Sequence, residues 1–145
     1  MKLDEIIDMW ATDCVVDDNH LGEASSNTPV LHAKYLKLLM DAKQRRARTL
    51  HEYNTLRKNK FRYYRGEMSR EELKEAGWEQ WQYAKPLKNE MDEFLKGDEE
   101  LAKIDMRLEY IDAMIYALES IMNQIKQRSF DLKNAITWKQ FLAGM

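Results

Sequence analysis

The residues whose types and spacing could do chemistry lie in one run, LRKNKFRYYRG, from Leu56 to Gly66. Arg57, Lys58, Lys60, Arg62 and Arg65 interleave there with Phe61, Tyr63 and Tyr64. Cations neutralise phosphates and release condensed counterions, and aromatic faces stack on unpaired bases. The mixture suits sequence-tolerant binding of a single strand. Reading a duplex would more often use Arg, Asn or Gln on a helix shaped for the major groove. A second cluster, Lys43, Arg45, Arg46 and Arg48, extends the positive strip or meets acids of a neighbouring subunit. The acidic segments 67–79 and 90–100 could supply those acids. The competing account is structural: a solvated helix face whose aromatics belong to the core. Charge decides between them. From Lys34 to Arg65, 11 Lys and Arg stand against two acids, Asp41 and Glu52, for a segment charge of +9. The whole chain carries −2, so the remainder carries −11. Few internal ion pairs can offset such a segment, and surface pairs are weak in any case. A polyanionic partner is the better expectation.

Other chemistries find little support. His32 and His51 are nineteen residues apart, without the i, i+4 pairing of a helical metal site, and His20 has only Asp17 and Asp18 nearby. No Gly-rich phosphate loop with its Lys is present. Cys14 is the sole cysteine, so neither an internal disulfide nor a Cys-rich zinc site is expected, and a reducing compartment fits. Four Trp and seven Tyr read as packing and interface anchors. No catalytic set, metal or cofactor is expected.

These residues need elements to position them. The chain has 145 residues with 5 Gly and 2 Pro, which favours one domain built of long helices over a sandwich, barrel or α/β fold. It holds no apolar run long enough to span a membrane, and MKLDEIIDMW lacks the plan of a signal peptide. Residues 3–12 predict a short helix, and 14–27 a loop or short extended piece. Thr28 reads as an N-cap and Pro29 as the first helical residue of a long basic helix to Arg65, stopped by Gly66. Ser69 and Glu72 form a capping box for a helix closed by Gly77. Residues 78–87 contain Pro86 and read as non-helical, and 88–96 predict a short helix ending at Gly97. Asp98 caps a last helix running nearly to Gly144. In it Leu101, Leu108, Ile115, Met122, Ser129 and Ile136 recur in heptad register and alternate with Ile104, Ile111, Leu118, Ile125, Leu132 and Lys139, all apolar but Ser129 and Lys139. That 3.5-residue repeat predicts a coiled-coil seam; it could pack on the long basic helix of the same chain, but that helix has a weak apolar stripe, so part of the seam is expected to meet other chains. Met114 and Ile121 widen it, as a bundle or ring of more than two chains could use. The expected fold is all-α, a long basic helix and a long heptad-patterned helix joined by short helices. The expected division is 1–26, a short helix and loop; 27–97, strand binding; and 98–145, oligomerisation.

The sequence resembles the UvsY family, the recombination mediators of tailed phages. The likeness is clearest at KNKFRYYRG (58–66), AKIDMRLEY (102–110), IKQRSFDLKNAI (125–136) and FLAG (141–144), in the family's order. Lys60 stands where an Arg is familiar, and Arg62 where an acid is; residues 66–97 match least. The resemblance implies a ring of about seven chains assembled through the C-terminal region. It implies binding to single-stranded DNA, with the DNA role mapping onto Lys58 and Lys60. It also implies contacts with the phage recombinase and the phage single-stranded-DNA-binding protein, no catalytic activity, and the cytoplasm of the infected bacterial host. The alternatives are a coiled-coil adaptor whose basic helix binds an acidic protein, and a small helical nuclease, for which no metal-binding acid cluster can be placed.

Overall fold

The computed structural model describes residues 1–144. Five helices follow one another: α1 (Leu3–Asp13), α2 (Leu21–Tyr64), α3 (Arg70–Ala76), α4 (Met91–Lys96) and α5 (Glu99–Leu142). The fold is all-α, and no strand occurs among the described residues. At 44 residues each, α2 and α5 are each about 66 Å long.

Local signals set most of the helix ends. Ser69 Oγ accepts from Glu72 N–H at 3.2 Å, Ser69 N–H donates to the Glu72 carboxylate at 3.4 Å, and Gly77 closes α3 at φ 73°. Gly66, at φ 69°, ends α2 as expected, and Glu67 N–H returns to the Arg62 carbonyl at 3.0 Å. Asp98 caps α5, its carboxylate accepting from Leu101 N–H at 3.0 Å. The start of α2 differs from the expectation. The helix begins at Leu21, so 21–27 is not loop, and Pro29 lies inside it. Thr28 is not an N-cap; its hydroxyl donates back to the Ala24 carbonyl at 3.4 Å. Ala24 N–H donates to the His20 carbonyl at 3.1 Å, and the Asp17 carboxylate accepts from Asn19 N–H and contacts the His20 ring.

The chain packs as two units, residues 1–45 with residues from 111 onward, and residues 46–110. The expected division at 26/27 and 97/98 is one of roles, and packing divides the chain differently. In the first unit Ile6 of α1, Leu31, Tyr35, Leu39 and Ala42 of α2, and Met114, Leu118, Ile121 and Ile125 of α5 form the core. Trp10 meets Tyr35 edge-on at 5.4 Å. Tyr35 donates to Asp13 at 2.8 Å, and Lys34 pairs with the same carboxylate at 2.7 Å. Burial, then this hydrogen bond, pushes the Tyr35 hydroxyl up. Burial works against the Asp13 charge, but bonds from Lys34 and Tyr35 outweigh it and hold its carboxyl low.

The heptad residues divide by face. Ile111, Leu118, Ile125 and Leu132 are buried with Met114, Ile121 and Arg128, so this stripe belongs to the chain's own core. Ile115 and Met122 sit at the edge of that core, and Ile136 is exposed. In the second unit Leu101 and Leu108 are buried and Ile104 is half-buried. Phe130, Trp138, Phe141 and Leu142 are exposed, and the Trp138 and Phe141 rings stack at 5.4 Å.

Candidate nucleic-acid interface

The second unit contains the basic–aromatic run. Along α2, Thr49, Tyr53, Leu56, Lys60 and Tyr64 recur at spacings of three and four and turn inward. Arg48, His51, Thr55, Lys58, Arg62 and Arg65 recur in the opposite phase. The two lysines of the expected site therefore face different surroundings.

Lys60 is buried, with 6% of its surface exposed. Its ammonium pairs with Asp98 at 3.1 Å and Glu100 at 3.4 Å, and lies over the Trp78 ring at 4.1 Å. The Asp98 carboxylate also accepts from the Tyr64 hydroxyl at 2.8 Å. Burial works against the Asp98 charge, but Leu101 N–H, Tyr64 and Lys60 together hold its carboxyl below the usual range. Burial and the bond to Asp98 push the Tyr64 hydroxyl well above its ordinary value. Trp78 Nε1 donates to Glu100 at 2.9 Å, so both anions facing Lys60 are held. A buried cation so matched, with an aromatic face beneath it, locks the end of α2 to the start of α5.

The aromatics of the run are also committed. Tyr64, Met91, Leu95 and Leu101 form the buried core of this unit, with Tyr53, Leu56, Tyr63, Trp81 and Phe94 against it. Tyr63 donates to the Glu79 carbonyl at 2.5 Å and meets Trp78 edge-on at 5.4 Å. Phe61 is 39% exposed, with the Arg65 guanidinium 5.9 Å from its ring.

Several cations of the run have partners from the same chain. Arg62 forks onto Glu72 at 2.6 and 3.0 Å, Arg65 pairs with Glu67 at 3.0 Å, and Arg57 with Asp92 at 3.3 Å. The hydrogen bond to Glu72 and its charge raise Arg62 further, and Arg62 in turn lowers Glu72. Glu67, Glu72, Asp92, Asp98 and Glu100 thus meet cations of their own chain within 57–65. Lys58 and Arg48 are exposed and hold no ion pair among the described residues. In the first unit Lys43 pairs loosely with Glu119 at 3.6 Å, and Arg45 is exposed. Arg46 is half-buried.

Sequence reasoning missed the inward turn of Lys60 and the part played by Glu100 and Trp78. A signal was there for Lys60: it continues the stripe of Tyr53 and Leu56.

A long basic helix ending in an aromatic–acidic clasp, with a second helix of equal length, defines the class as an all-helical protein with a basic helical face. The chain belongs to the UvsY family, whose model, described as recombination, repair and ssDNA binding protein UvsY, matches residues 9–145. It is similar to recombination protein uvsY of Enterobacteria phage T4, at 24% identity over 144 residues, covering 99% of both chains. Two crystal forms of the bacteriophage T4 recombination mediator protein UvsY share the fold. One gives a TM-score of 0.84 at 23% identity over 99% of this chain and 98% of that one. The other gives 0.80 at 22% identity over 97% and 98%. Among the described residues no helix is long and apolar enough to cross a membrane.

Proposed function

We propose that this protein is a recombination mediator. It binds single-stranded DNA and promotes loading of a phage recombinase onto strands covered by a single-stranded-DNA-binding protein, in homologous recombination and in recombination-dependent replication and repair. Membership of the UvsY family supports the role. The observation that carries the binding surface is the outward face of α2, where Lys58 and Arg48 stand exposed beside Phe61 and Arg65. Arg57 and Arg62 engage phosphate by exchanging a carboxylate partner for it, Asp92 exposed and Glu72 half-buried. Lys60, Tyr63 and Tyr64 support that face from behind, and Lys43, Arg45 and Arg46 extend the positive helix.

The roles along the chain follow 1–26, 27–97 and 98–145, with α5 presenting the surface for a ring of about seven copies. Its exposed Phe130, Ile136, Trp138, Phe141 and Leu142 support that assignment. A ring converts one modest basic strip into many, so weak contacts become avid. Binding energy then holds the strand in a conformation the covering protein does not favour, and the recombinase gains access. The work requires no covalent step, metal or cofactor, and it takes place in the cytoplasm of the infected host.

The test is recombinase assembly on a strand pre-coated with its binding protein, followed with and without this protein. Faster assembly supports the reading, and an unchanged rate contradicts it. The second reading, an adaptor that docks an acidic protein, draws on the ease with which Arg57, Arg62 and Arg65 already take carboxylate partners. Binding to an acidic protein with no preference for single strands over duplex would favour it.

A further inference from the structure

Residues 78–90 build an open aromatic shelf that the family match leaves unassigned. Tyr83 is 75% exposed, yet its ring is held against Trp81 at 4.9 Å, and Trp81 is braced edge-on by Tyr64 at 4.8 Å and Phe94 at 5.9 Å. Phe94, Pro86, Lys85 and Glu90 complete a pocket around the two rings. An exposed aromatic ring backed by a fixed second ring offers one flat face at little entropic cost.

We propose that Tyr83 is a stacking platform for one unpaired nucleobase of the bound strand. The inference rests on the single-strand reading above and assigns it a subsite. Two observations select this occupant. The Lys85 side chain, part of the pocket lining, also lies against the end of α2, its Cε 3.4 Å from where a Cβ on Gly66 would stand, so a cation of the shelf adjoins the basic run. A strand followed from Lys58 to Gly66, about 12 Å along the helix, therefore arrives at the shelf with its backbone over cations. Glu90 in the pocket lining repels phosphate, so the base enters and the backbone stays outside. Of the aromatics first expected to stack, Tyr64 is buried and Tyr63 half-buried against it, whereas Tyr83 beside them is 75% exposed.

The test uses Tyr83→Ala and Tyr83→Phe in the full-length protein, with Lys58→Ala as the phosphate-contact comparison. Tyr83→Ala is expected to weaken binding of a single-stranded oligonucleotide roughly fivefold or more without changing the salt slope. Tyr83→Phe is expected to bind as the parent does. On an abasic oligonucleotide of equal length, parent and Tyr83→Ala should bind alike. Parent-level affinity in Tyr83→Ala, with binding weakened only by Lys58→Ala, overturns the platform and leaves the single-strand reading standing. An equal loss on the abasic strand also overturns it. If the parent binds no single strand, both readings fall.

Discussion

Lys58 and Lys60 stand two positions apart on α2, about 200° around the helix, and that rotation separates their work. Lys58 faces water, whereas Lys60 neutralises Asp98 over the Trp78 ring. Removing one member of a buried pair strands the other, at a cost of about 3–5 kcal/mol. Lys60→Ala should therefore lower the thermal midpoint sharply, and Lys58→Ala should leave it unchanged in the same calorimetric scan. Equal midpoints would show that Lys60 carries no structural load. Asp98 adds a pH dependence. Its folded-state pKa is depressed, so its contribution is fully present above the unfolded value of about 3.9 and is lost as pH falls through the folded value. Asp98→Asn keeps a capping side chain, should be less stable near neutrality, and should show a flatter acid limb in stability measured against pH. The composition of this cluster was read from the sequence, but its direction was missed. Counting acids only within 34–65 hid Glu67, Glu72, Asp92, Asp98 and Glu100, which the fold brings to the same cations. The phase of Tyr53 and Leu56 carried through to residue 60 would have shown the inward turn.

At the scale of elements, the ends fixed by local chemistry were readable. Ser69 with Glu72, Gly77, Gly66 and Asp98 each satisfy or terminate a helix within a few residues, so neighbours in sequence decide them. The start of α2 is decided differently. Pro29 suits a first helical turn, yet the helix continues back to Leu21. Arg128, from the far end of the chain, donates to the Ala24 carbonyl at 3.4 Å and ties down that extension. Such a contact has no sequence signature. An exposed proline inside a helix forfeits one backbone bond and costs up to about 3 kcal/mol relative to Ala. Pro29→Ala should therefore raise stability in a denaturant titration. A neutral or negative change would place the start of the helix at Thr28 after all. The heptad pattern of α5 likewise foretold a long helix, but not which half of its seam the chain keeps. Met114 and Ile121 turn the buried stripe toward Ile111, Leu118, Ile125 and Leu132, and leave Ile115 and Met122 at the edge.

For the whole molecule, surface left over by folding is what remains for partners. The proposed assembly face lies on α5 at Trp138 and Phe141, beyond the residues that hold the chain's own core. Trp138→Ser with Phe141→Ser should reduce the mass of the particle in sedimentation velocity while leaving helical content unchanged. An assembly of unaltered mass would move the interface elsewhere. Removing all of 125–145 would be a poorer test, since Ile125 and Leu132 are buried within the chain. The proposed strand-binding face is the outward side of α2, and its contribution scales with the number of chains that present it. The measurement that tests this most directly is the anisotropy of a labelled single-stranded oligonucleotide titrated at several salt concentrations, beside a duplex of equal length. The account predicts tight, salt-sensitive binding that favours the single strand, with affinity and salt slope both reduced in Lys58→Ala. Equal affinity for duplex, or a Lys58→Ala variant that binds as the parent does, would contradict it.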